Sequence, residues 1–217
     1  MTEAELEALT IRHLPEQLLR ALVRSVFLAH ERAWDDCSRQ FAETEAENVR
    51  PFYRRALLEG LIRGVAERYA GVTAEVVKAP QSNWNHTELR SGPIALTANS
   101  VPTPCAMVER AEFRLGLASS NQLRFEGLID PPPPDAPLFV LLLHSKSIWD
   151  DQEEVQRFGH LPGSAYLAYP APDLRSYVHQ INLFNMFRSI VSESLPAEWD
   201  AQARVRYMYR ASRAAWQ

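Results

Sequence analysis

His86, Thr87 and Glu88 stand in a β-prone stretch, so His86 and Glu88 point to one side of the chain. A histidine and a carboxylate on one face can share general acid–base work. With His144 added they could form part of a transition-metal site; the plainer alternative is a hydrogen-bonded surface pair near a turn. Arg110 and Arg114, four apart in a helical stretch, project together and suit a clamp for a phosphate or carboxylate. Glu109 and Glu112 among them offer ordinary intrahelical pairing instead. The segment 203–217 carries Arg204, Arg206, Arg210 and Arg213 and no acid, interleaved with Tyr207, Tyr209 and Trp216. Arginines with aromatics can follow phosphates and stack on bases, or anchor a protein interface. Arginine near a helix C-terminus is also favourable through the macrodipole alone.

A further set surrounds the apolar run Leu138–Leu143. It ends in His144, Ser145 and Lys146, and Asp130 lies upstream. His144 and Lys146 have strand spacing and share a face. Strand ends in mixed sheets are where ligand-facing residues gather. An aspartate followed by a strand with an acid-x-lysine ending is the pattern of metal-dependent nucleases of the PD-(D/E)xK type, and this segment resembles it. The resemblance implies Mg²⁺ held by carboxylates, with Lys146 positioning or activating the attacking water. The segment departs from the pattern in reading Ile-Asp-Pro around Asp130 and in placing His144 where the second acid would stand. Glu75 and Lys78, three apart in another β-prone stretch, face opposite ways unless a bulge intervenes; Glu59 could add a carboxylate there. Arg24 and His30, in RSVFLAH, have a spacing similar to that of some helical ribonuclease domains, but Phe27 and Leu28 put them near a core.

These residues need elements to hold them. Residues 1–70 read as helical. Leu18, Leu19, Leu22, Val23, Val26 and Phe27 recur at three- to four-residue spacing, and the pattern runs on to about Phe41. The polar stretch 42–51 ends in Pro51 and predicts a break. A second helix is expected over 52–69, stopped by Gly71. The period then changes. Strands are expected over 72–79, 86–89 and 93–101, with a turn over 81–85 and another at Ser91-Gly92. Helical spacing returns over 108–121. The proline-rich segment 130–137 is a stiff loop. The unbroken apolar run 138–143 predicts a strand buried on both faces. A polar acidic loop follows, then a strand over 164–169. Asp173 is placed to cap a helix through Ser192, and a last helix is expected over 197–216. The reading is α+β: a mixed sheet with packed helices, preceded by an N-terminal helical arm. It divides into a helical region 1–70 and a mixed α/β core 71–217 with C-terminal helices, in one cooperative domain.

Composition narrows the function. The chain has 217 residues, 46% hydrophobic and 23% charged, which excludes a disordered protein. A formal net charge of -4 argues against bulk nucleic-acid binding and leaves only a local basic patch. Only Lys78 and Lys146 are lysines, which suggests a GC-rich, bacterial source. Two cysteines and no zinc spacing point to a reducing compartment. The acidic, polar N-terminus has no signal-peptide pattern. The longest apolar run is far short of the roughly 20 residues of a membrane span. A soluble cytoplasmic protein is expected. HExxH, CxxC, GxGxxG and GxxxxGK motifs are all absent. The leading expectation is a binding or regulatory protein that works through protein contacts, possible self-association into a dimer included, and nucleic acid as a candidate associate. The alternatives are a diverged nuclease using Asp130, His144, Lys146, His86 and Glu88 with Mg²⁺, and a small-anion sensor built on Arg110 and Arg114.

Overall fold

In a computed structural model, residues 2–78, 85–125, 137–146 and 152–213 are described. Three helices come first: α1 (Glu3–His13), α2 (Glu16–Gln40) and α3 (Glu43–Ala66). Thr2 and Glu5 form a reciprocal capping box that starts α1. The apolar stripe of α2 is buried, as its spacing predicts. The expected break at 42–51 is absent: α3 begins at Glu43 and carries Pro51 inside it. Proline removes one amide donor, and that single loss is outweighed by packing of α3 against α2 and the sheet.

The strands are β1 (Val72–Lys78), β2 (Asn85–Ser91), β3 (Ile94–Val101), β4 (Leu138–Ser145), β5 (Ser164–Pro170) and β6 (Tyr177–Asn182). They lie in the order β1-β2-β3-β4-β5-β6 in a single mixed sheet. All neighbours are antiparallel except β3 and β4, which run parallel with α4 (Glu112–Phe125) between them in the chain. Gly92, at φ +54°, opens the two-residue β2–β3 hairpin. Its bare Cα also leaves room for the His13 ring, which a Cβ would strike. After β4 come α5 (Gln152–Phe158), and after β6 the short α6 (Leu183–Met186) and α7 (Arg188–Glu193), then α8 (Ala201–Arg213).

Three further expectations are corrected. The acidic stretch after Lys146 contains a helix, α5. Asp173 caps a turn, not a helix: its carboxylate accepts from the Arg175 amide, Leu174 takes a left-handed φ of 55°, and the chain returns as β6. The last helix begins at Ala201 and not at 197, and its expected end beyond Arg213 lies outside the described residues. The expected turn at 81–85, but for Asn85, and the proline loop, but for Pro137, lie outside the described residues.

Strand alternation sorts the core into two layers. Leu96, Leu138, Val140, Leu142 and Leu167 pack with α1, α2, α3 and the C-terminal helices. Phe139, Leu141, Leu143, Tyr166 and Ala168 pack with Ala118 of α4 and with Val108 and Leu174. Every residue of β4 is buried, as the unbroken apolar run requires. Among the described residues no helix is long and apolar enough to cross a membrane.

Candidate functional site

Residues 47, 50, 51 and 54 recur along one edge of α3 at three- to four-residue spacing. That edge faces Trp34 of α2, Lys146 just past β4, and Val155 and Gly159 at α5. Together they line a cleft of about 370 Å³. Arg54 is its inner cation. It is only 8% exposed, because the helix face that carries it also buries Leu58 against the sheet. Its Nη2 reaches Ser100 Oγ at a long 3.4 Å, and its Nε has no acceptor. No described carboxylate pairs with it. Burial, and then the charge of Arg50, push its pKa down to about 10. A buried guanidinium without a counter-ion is costly. Arg50 lies over the Trp34 ring at 4.0 Å, and its Nε is likewise buried without an acceptor. Lys146 is exposed and stands at the rim with Glu47.

A second cleft, of about 200 Å³, opens on the next face of α3, where Arg55 and Glu59 meet Asn99, Ser100, His144 and Arg114. Arg55 Nε bonds Glu59 at 2.9 Å. Arg114 donates to the Glu109 carbonyl at 2.6 Å and leaves its buried Nε without an acceptor. Its pKa is lowered, first by burial and then by Arg55. The clefts are neighbours. Pro51 lines both, and Arg54 of the first donates to Ser100 of the second. Behind them His144 is buried and bonded through Nδ1 to His30 Nε2 at 3.1 Å. Burial, and then Arg54, drive the His144 pKa down to about 3.

Of the residues singled out from sequence, the described ones do not form one site: His144 and Arg114 meet at the second cleft with Glu59, and the others lie elsewhere. Asp130 lies outside the described residues. His144 faces inward on the helical side of β4, while Lys146 is exposed in the first cleft. His86 and Glu88 do share a face, but it is the one covered by α4: His86 stacks on Phe113 at 4.1 Å, and Glu88 is buried and bonded to Arg90 at 2.6 Å. Neither ring nitrogen of His86 has a partner, and burial lowers its pKa against the pull of Glu88 and Glu59. Arg110 is exposed, whereas Arg114 is half-buried at the second cleft. Arg204 is spent on structure, donating to the carbonyls of Ser192, Pro196 and Trp199. Arg206 lines a shallow groove with Glu153, Glu154 and Asp200. Arg210 and Arg213 stand on α8 with side chains outside the described set. The N-terminal acids are engaged within the chain, Glu5 with Thr2 and Glu7 with His179. Among the described residues no three His, Cys, Asp or Glu side chains are grouped to hold a metal, so the Mg²⁺ implied by the nuclease resemblance finds no full ligand set there.

The residues that do assemble, Arg50, Arg54 and Arg55, were hidden by Pro51, which reads as a break. The signal was present in the run Arg50-Pro51-Phe52-Tyr53-Arg54-Arg55, where cations four apart alternate with aromatics. No protein-family model matches the chain, and no curated protein or solved structure is similar to it.

Proposed function

We propose that this protein is a binding protein, regulatory in role, that takes a phosphate-bearing ligand into the cleft between α2, α3 and the end of β4. The observation that carries this is Arg54: a buried guanidinium that lines an open cleft, with no carboxylate partner among the described residues and an Nε without an acceptor. An anion in the cleft supplies the missing charge, and a phosphate offers the oxygens that a guanidinium fork can grip in pairs. Arg50, with its guanidinium over the Trp34 ring, adds a second fork. Lys146 adds a mobile charge at the rim. His30 and His144, neutral behind Arg54, neither compete for the anion nor cancel the cation. Two free thiols suit a cytoplasmic setting.

Thermal unfolding with added pyrophosphate tests the reading. A ligand bound only by the folded state stabilises it by about 2.7 kcal/mol at a hundred times its Kd. Pyrophosphate is expected to raise the melting temperature of the wild type, with chloride at equal ionic strength as the control. Arg50→Ala and Lys146→Ala should each blunt the rise. A wild-type melting temperature that pyrophosphate leaves unmoved at millimolar concentration defeats the proposal.

A further inference from the structure

Resting on that anion-binding reading, we infer that the ligand is a single strand of nucleic acid that crosses α3 from the first cleft to the second. Glu47 and Glu59 mark the ends of the path, and twelve helical steps separate them by about 18 Å. That length takes several phosphates, where a lone anion would use one cleft. Five cations face the path: Arg50, Arg54, Lys146, Arg55 and Arg114. Among the described residues only two carboxylates line it, Glu47 and Glu59, and Glu59 is already bonded to Arg55. The path is continuous, because Pro51 lines both clefts and the Arg54–Ser100 bond joins them.

Aromatic surface lies where bases would fall. Phe52 is 61% exposed and lines the second cleft, whereas Tyr53 lines neither cleft and its hydroxyl donates to Asp36 of α2. Cations that follow a backbone beside exposed rings are the features of single-strand recognition. A duplex fits less well. Its base faces are hidden in the stack, and its stiff backbone cannot enter a recess to meet a guanidinium as buried as Arg54.

The test uses the full chain and fluorescence anisotropy of a labelled oligodeoxythymidylate of about twelve nucleotides. Thymidine monophosphate, pyrophosphate and a duplex of equal length are the comparison ligands. The strand is expected to bind at least about tenfold more tightly than the mononucleotide. Four of the cations, Arg50, Arg54, Arg114 and Lys146, have no ion pair with a described carboxylate, so the logarithmic salt slope should be about -3. Phe52→Ala, at an exposed position, should weaken the strand about three- to tenfold and leave the thermal shift by pyrophosphate unchanged. If pyrophosphate stabilises the protein but the strand binds no better than the mononucleotide, or the duplex binds better than the strand, the inference is overturned and the anion-binding reading stands. If neither pyrophosphate nor the strand binds, both are overturned.

Discussion

His30 on α2 and His144 on β4 share a hydrogen bond of 3.1 Å inside the core, with their rings edge to face. One ring nitrogen must donate and the other accept, so at least one imidazole is neutral. Arg54 stands close enough to disfavour a proton on either ring. The pair therefore forms an uncharged polar floor beneath a cationic cleft.

This floor makes stability depend on pH. Both rings have pKa values below the usual 6.5, His144 at about 3. Below pH 6.5 the unfolded chain takes up protons that the folded rings refuse. Stability is thus full above about pH 6.5 and falls as pH drops towards 3, by up to about 1.4 kcal/mol per pH unit for each ring. Urea unfolding across this range should show the decline. The double variant His30→Phe/His144→Leu should flatten it, leaving the part due to carboxylates. An equal slope in that variant would rule the pair out as its source.

Arg54 trades stability for binding. Replacing a buried, uncompensated cation with an apolar side chain of similar length is often neutral or stabilising by about 1–3 kcal/mol. Arg54→Met should keep or raise the urea midpoint in the absence of ligand. It should also abolish the thermal shift with pyrophosphate. A marked fall in the midpoint would mean that the guanidinium serves the fold itself.

Asn121 mends the sheet where Pro170 breaks it. The β4–β5 ladder ends at Leu141 and Ala168, and two residues further on Pro170 has no amide to offer. The Asn121 side chain stands in: it accepts from the Phe139 amide at 2.7 Å and donates to the carbonyls of Phe139 and Pro170. Asn121 is fully buried. Asn121→Ala strands three buried backbone groups and should cost about 3 kcal/mol in a denaturant titration. A loss below about 1 kcal/mol would show that the backbone finds other partners.

The last helix belongs to the core. Tyr207 is buried beside Trp199, and its hydroxyl donates to the Pro162 carbonyl. Tyr207→Phe should cost about 1 kcal/mol and Tyr207→Ala about 3–5 kcal/mol. Deleting residues 203–217 should lower the melting temperature steeply or prevent folding. A truncated chain that melts like the full one would return the tail to the role of a dispensable arm.

Local pattern carried much of the fold. The helical stripe of α2, the hairpin around Gly92 and the buried strand β4 were each legible, because periodicity, a turn residue and an apolar run act over a few residues. The misread places were those where distant packing overrode a local rule. Pro51 reads as a helix end, yet α3 continues through it against α2. Asp173 reads as a helix cap, yet Tyr177–Asn182 pairs with β5 and uses the aspartate in a turn.

The sequence by itself determined the α+β class and the alternation that splits the sheet into two faces. Only the tertiary structure decided that Arg54 is buried, that Lys146 shares its cleft, and that His144 turns inward to a histidine 114 residues away. The reason is physical. Periodicity states which side of an element a residue occupies, but burial and charge pairing depend on what other elements bring to that side.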